Sequence, residues 1–241
     1  MGDAMHVRPC IAPGGSIEPV PAVPGLAPCI ALLGGSFDPV HPGHVALGAH
    51  FARLLRVDQL RVIPAGAPWQ KSAVHASPEQ RAEMVRLAFA EQAIAVTIDM
   101  QEIERPAPTY TIDTLRCVRA QFGPAASLVF LMGADQLQHL ATWHAWRKLF
   151  DYAHICVAAR AGFALSGPAM AQEVADEFAR RLGSLEQIRS TPQGLTYLAQ
   201  DFAVDISATR IRAALQRGDT ANSLVAPVVL DYIEQHHLYK S

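Results

Sequence analysis

The sequence predicts an α/β fold: a doubly wound, Rossmann-like parallel sheet with helices on both faces and a C-terminal helical segment. Three observations carry this. Short β-rich apolar runs alternate with amphipathic helical stretches from CIALLG onward, the pattern of a parallel sheet covered on both sides. Helix boundary signals fall between those runs. A glycine-rich turn, GGSFDPVHPGH, follows the first run, at the carboxyl end of a strand where such sheets bind ligands.

The elements follow in order. CIALLG reads as a buried strand and residues 43–56 as a helix. QLRVIPA is the second strand. SPEQRAEMVRLAFAEQ is the second helix, with Ser77 as N-cap and Pro78 at its first position. AIAVTID is the third strand, and TIDTLRCVRAQFG the third helix, ended by Gly123. SLVFLMG is the fourth strand, residues 135–151 are expected to be helical, and HICVAAR is the fifth strand. Beyond residue 161 come a helix candidate, GPAMAQEVADEFARRLG, short strands in LTYLAQDFAVDIS, and helices in SATRIRAALQRG and APVVLDYIEQHH. No internal repeat or long linker divides this part from the rest.

Half of the 241 residues are hydrophobic and 17% are charged, so a sizeable core can be buried. A net charge of -2 excludes a broad basic footprint for nucleic acid; any anion site must be local. No apolar run approaches the roughly 18–20 residues of a membrane span. Residues 1–28 are rich in proline and glycine and lack the apolar segment of a secretory signal. They are expected to be a poorly ordered extension to a domain spanning 29–241, in a cytoplasmic protein. The four cysteines form no CxxC pair. Cys29 and Cys156 lie in strand-like runs and read as buried reduced thiols.

The opening turn has the makings of an anion site. Gly34 and Gly35 let backbone approach a ligand closely. The helix that follows starts near Pro42 or Gly43, and its free N–H groups and dipole favour an anion. His41 and His44, three apart, share one side of that turn and can both donate to phosphate oxygens. The plainer reading is a glycine turn with two solvated or capping histidines. The turn is neither GxGxxG nor a Walker A loop. Far downstream, ISATRIRAAL places Ser207 as an N-cap, followed by Thr209, Arg210 and Arg212. Arginines at a helix start oppose the dipole; an anionic ligand offsets that cost, and a solvated face is the alternative.

These two motifs carry a resemblance. GGSFDPVHPGH resembles the GG[ST]FDPxHxGH signature of the HxGH nucleotidyltransferases, and ISATRIR resembles their ISxTxxR phosphate motif. PAGAPWQK, RAEMVRLA, ERPAPTYTIDTL, FLMGADQLQHLATWHAW and YIEQHHLY look like the bacterial nicotinate-nucleotide adenylyltransferases, over residues 30 to 239. The resemblance implies transfer of AMP from ATP to nicotinate mononucleotide, with Mg²⁺ and no covalent enzyme intermediate. It implies phosphate binding by Gly34, Gly35, Ser36, His41, His44, Lys71, Arg160, Ser207, Thr209 and Arg212. Gly133 and Asp135 would contact the AMP ribose. Tyr110, Thr111, Trp143 and His144 would take nicotinate mononucleotide. It implies no metal-ligating side chains, small-molecule partners rather than nucleic acid or membrane, and leaves a homo-oligomer open. The chain departs from the family pattern at Trp69, Gln70 and His144. A pantetheine-phosphate adenylyltransferase or a non-catalytic nucleotide sensor on the same fold are the competing readings. A class I aminoacyl-tRNA synthetase would need a KMSKS-like loop, which the chain lacks.

Overall fold

The computed structural model describes residues 27–67, 74–105, 108–165, 167, 170–202, 207–217 and 224–239. Six strands form one sheet: β1 (Cys29–Gly35), β2 (Gln59–Pro64), β3 (Val96–Ile98), β4 (Ser127–Gly133), β5 (His154–Ala158) and β6 (Thr196–Ala199). Their order is β3-β2-β1-β4-β5-β6, and every pairing is parallel. The helices are α1 (Pro42–Leu55), α2 (Pro78–Phe89), α3 (Thr111–Phe122), α4 (Ala134–Gln138), α5 (Gln172–Arg180), α6 (Leu185–Ser190), α7 (Ala208–Gln216) and α8 (Pro227–Gln235). The doubly wound α/β expectation therefore holds, and its strand order reverses between β1 and β4. That crevice is where such sheets take ligands.

Strand periodicity of two sorts the apolar side chains between two cores. Ala31 and Leu33 of β1, Val129 and Leu131 of β4, and Cys156 of β5 join α1, α2 and α8 on one face. Ile30 and Leu32, Leu128 and Phe130, and Ile155 and Val157 join α3 and α5 on the other. Burying both faces makes these strands continuous apolar runs. Each fully buried Leu or Ile contributes about 1.5–3 kcal/mol. Cys29 and Cys156 are buried and free, as the sequence implied; Cys117 on α3 is disulfide-bonded and departs from that pattern.

Local signals set the helix starts. Ser77 Oγ accepts from Gln80 N–H at 3.2 Å, and Pro78 opens α2. Gly123 closes α3 with φ 80°, a conformation that suits glycine. One expectation fails. Residues 135–151 are not one helix but the short α4 and 3₁₀ turns at Leu140–Thr142 and Trp146–Asp151. Ala145, in the left-handed region at φ 51°, interrupts the run. Of LTYLAQDFAVDIS, Thr196–Ala199 forms a strand, and residues 203–206 lie outside the described residues. No helix among the described residues is long and apolar enough to cross a membrane.

Candidate active site

A wholly parallel sheet delivers the loop after each strand to one edge. Gly34 and Gly35 end β1, the turn after it holds Ser36 to His41, the segment after β4 holds Asp135, and the one after β5 holds Arg160. Arg160 is exposed at that edge. Lys71, with Trp69 and Gln70, lies outside the described residues, as do residues 1–26.

The β1 turn is tightly tied. A Cβ at Gly35 would lie 3.0 Å from the Phe37 ring, a tight contact that would make the ring give way. The small size of Gly35 thus serves packing within the turn, not only close approach of a ligand. Phe37 is buried with φ 48°. Arg81 of α2, almost wholly buried, donates from Nη1 to the Ser36 carbonyl at 2.7 Å and from Nη2 to the Gly66 carbonyl at 3.1 Å.

His41 is the N-cap of α1 and Pro42 its first residue. The His41 and His44 rings stack with centroids 3.7 Å apart, and the His44 ring meets Phe37 edge-on at 4.9 Å. The His41 N–H donates to His44 Nδ1 at 3.2 Å. A ring nitrogen that accepts carries no proton, so the neutral His44 ring has its N–H at Nε2. The spacing of three therefore does more than put two histidines on one side. His44 caps the helix start with one nitrogen and keeps the other as a donor.

Asp38 is the hub of this turn, and sequence reasoning gave it no role. It is 2% exposed. Its carboxylate accepts from the N–H groups of His75 at 2.9 Å and Ala76 at 3.1 Å, and from the Tyr239 hydroxyl at 2.8 Å. Burial pushes its pKa up, but these hydrogen bonds and the Arg212 charge outweigh that and hold it below the usual carboxylate range. The Asp38 carbonyl accepts from Arg212 Nη1 at 2.6 Å. Arg212 stands on α7, where Ser207 Oγ caps the helix by accepting from Arg210 N–H at 3.4 Å. Thr209 Oγ1 lies 3.5 Å from Arg212 Nη2. The two distant motifs thus meet. The signal for Asp38 was there to read: an aspartate between phenylalanine and proline in a buried turn must be satisfied by several donors.

On the β4 side, Gly133 is the N-cap of α4, so Asp135 is not a cap but lies in the first turn. A Cβ at Gly133 would meet Asp135 Oδ1 at 2.5 Å, so the carboxylate folds back over the glycine. Tyr110, not Thr111, is the N-cap of α3. The Tyr110 and His144 rings lie 4.7 Å apart, which joins the start of α3 to the segment before Trp146. Trp143 packs edge-on to Phe130 at 6.1 Å, and its buried Nε1 has no hydrogen-bond partner. The four residues assigned to the mononucleotide are therefore drawn from α3 and one neighbouring segment.

Among the described residues no group of three His, Cys, Asp or Glu side chains could hold a metal ion. The Asp38 carboxylate is already engaged by its donors. The turn offers imidazole and guanidinium N–H groups, donors that suit phosphate oxygens.

Comparison with known proteins agrees with this layout. The cytidylyltransferase-like family model matches residues 32–214. A probable nicotinate-nucleotide adenylyltransferase of Herminiimonas arsenicoxydans is 65% identical over 213 residues, covering 88% of this chain and 97% of the relative. One from Dechloromonas aromatica is 41% identical, covering 88% and 98%. Among solved structures, Plasmodium falciparum nicotinic acid mononucleotide adenylyltransferase complexed with NaAD has a TM-score of 0.66 at 19% identity, covering 88% of this chain and 97% of that one; that likeness concerns the fold. With both motifs in one crevice and identity sustained along nearly the whole of these relatives, the chain belongs to the nicotinate-nucleotide adenylyltransferases of the cytidylyltransferase-like family.

Proposed function

We propose that this chain transfers the AMP part of ATP to nicotinate mononucleotide, giving nicotinate adenine dinucleotide and pyrophosphate in NAD synthesis. One observation carries the site assignment: the stacked His41–His44 pair at the head of α1 and Arg212 of α7 are fastened to the same turn. Donors from both ends of the chain converge on one helix N-terminus, an arrangement made for phosphates.

The chemistry asks for positioning and charge neutralisation. A phosphate oxygen of nicotinate mononucleotide attacks the α-phosphorus of ATP, and the bond from that phosphorus to the bridging oxygen breaks in line. The nucleophile is already an anion, so no general base and no covalent Ser or Cys intermediate is required. The enzyme must hold two anions together and stabilise the charge that shifts onto the leaving group. His41 and His44 hold the α- and β-phosphate oxygens, with Gly34, Gly35 and Ser36 lining the approach. Ser207, Thr209 and Arg212 hold the outgoing pyrophosphate, with Lys71 and Arg160 as further contacts. Gly133 and Asp135 take the AMP ribose. Tyr110, Thr111, Trp143 and His144 hold the mononucleotide, with Trp143 as ring platform.

Mg²⁺ enters with ATP as part of the substrate, where it adds charge neutralisation; the chain's own groups bind the phosphates. Residues 29–241 form the nucleotidyltransferase domain and 1–28 an accessory extension. Its substrates are small nucleotides of the cytoplasm. The test is to incubate the protein with ATP, Mg²⁺ and each pyridine mononucleotide and measure pyrophosphate. Release with nicotinate mononucleotide is expected. Absence of release with either mononucleotide would refute the assignment.

A further inference from the structure

Tyr239 lies just beyond α8, four residues after its last residue, Gln235. It is 6% exposed and packs in the core beneath α1, α2 and α8. After α8, His237 and Tyr239 both take left-handed backbone, at φ 53° and 61°, and Leu238 N–H returns to the Ile233 carbonyl at 3.0 Å. This reversal brings the phenol back under the β1 turn. Left-handed backbone is uncommon for residues other than glycine, and the reversal ends on one specific contact. That contact is the 2.8 Å hydrogen bond from the Tyr239 hydroxyl to Asp38 Oδ1, in a buried setting.

A phenylalanine would fill the core equally well. The hydroxyl adds only its bond to Asp38, and Asp38 sits where two elements of the phosphate site are fixed. Its carbonyl takes the Arg212 guanidinium, and His41 follows three residues later. Its side chain is clamped between the His75–Ala76 backbone and Tyr239. With the hydroxyl gone, the Asp38 side chain keeps the His75–Ala76 backbone and the Arg212 guanidinium, 4.0 Å from Oδ2, but loses its only neutral side-chain donor among the described residues.

We propose that Tyr239 is a positioning residue: its hydroxyl fixes Asp38, and through Asp38 it aims Arg212 and the His41–His44 pair at the phosphates. This rests on the phosphate site proposed above. The segment after α8 is thus a working part of the site.

The test is Tyr239→Phe in the full chain. A drop of about tenfold in kcat is expected, since small misplacements of positioned groups carry large rate penalties. KM for both substrates should stay within about twofold, with the protein still fully folded by circular dichroism. On the Arg212→Lys background, Tyr239→Phe should lower kcat further by well under tenfold, because groups acting through one network are not additive. A merely structural tyrosine predicts full additivity or an unchanged kcat, and either result overturns the proposal. A readout free of turnover is the ¹⁵N-histidine spectrum without ligands. Tyr239→Phe should move the His41 and His44 ring signals and leave His154 in place. Unmoved His41 and His44 signals overturn the proposal even if the unaltered protein is active. An unaltered protein that releases no pyrophosphate sinks the functional reading instead, independently of the spectrum.

Discussion

Arg212 donates to the backbone carbonyl of Asp38 at 2.6 Å across 174 residues. This bond joins the start of α7 to the turn after β1. A guanidinium has donors in a fixed fork, so it can hold the carbonyl with one arm and offer the rest to a phosphate. A lysine ammonium, a flexible point charge, cannot reproduce that geometry. Arg212→Lys is expected to lower turnover by about 10²-fold, in the range for loss of one preorganised transition-state donor. Steady-state pyrophosphate release checks it, and a lysine variant with near-normal kcat would disprove the role.

His44 caps α1 through Nδ1, and in the proposed site it also donates to a phosphate through Nε2. His44→Ala removes both. Turnover should fall about 10²–10³-fold, whereas the cap contributes only about 1 kcal/mol to stability. Chemical denaturation together with the turnover assay separates the two losses.

Gly66 has no room for a side chain. A Cβ there would lie 2.0 Å from the Glu102 carbonyl oxygen, so backbone must move, and the Gly66 carbonyl that anchors Arg81 moves with it. Gly66→Ala is expected to destabilise the protein by more than about 3 kcal/mol, the scale of severe backbone and packing faults. An unfolding midpoint within a degree or two of the unaltered protein would contradict the geometry.

His154 links stability to pH. It is fully buried, its Nδ1 accepts from Leu195 N–H at 3.0 Å, and its Nε2 lies 2.8 Å from the Thr191 carbonyl. Burial, with the nearby Arg119 charge, lowers its pKa to about 4 despite the Thr191 contact. The folded form is depressed below the unfolded value of about 6.5. The stability from keeping His154 neutral is therefore full above pH ~6.5 and is lost as pH falls toward ~4. The loss reaches roughly 3 kcal/mol at most, at about 1.36 kcal/mol per unit. His154→Asn should be less stable at pH 7 and show a flatter pH dependence across that window, read by urea unfolding at several pH values.

Nicotinate and nicotinamide mononucleotides differ in a carboxylate against an amide. Stacking on Trp143 cannot tell them apart. In the proposed pocket, free N–H donors at the start of α3 can, because an amide NH₂ facing a donor leaves buried groups unpaired. Each such group costs about 1–3 kcal/mol. A preference for nicotinate mononucleotide of at least about tenfold in kcat/KM follows, at 1.4 kcal/mol per factor of ten. Trp143→Ala should weaken both substrates and leave their ratio about the same. Equal rates on the two with the unaltered protein would remove the basis for the substrate assignment.

The sequence by itself determined the layers of this protein. Alternating apolar runs and local caps such as Ser77 and Gly123 are short-range signals, and they survived intact in the fold. It also gave the paired histidines and the Ser207–Arg212 motif as separate anion-binding pieces. Only the tertiary structure decided how those pieces meet. The run 135–151 had helical character, but packing around Trp146 and the left-handed Ala145 broke it into turns. Asp38 and Tyr239, 201 residues apart, carry no local pattern that links them. Their bond exists because the parallel sheet and α8 return the end of the chain to its first turn, and a buried carboxylate accepts whatever donors the fold brings to it.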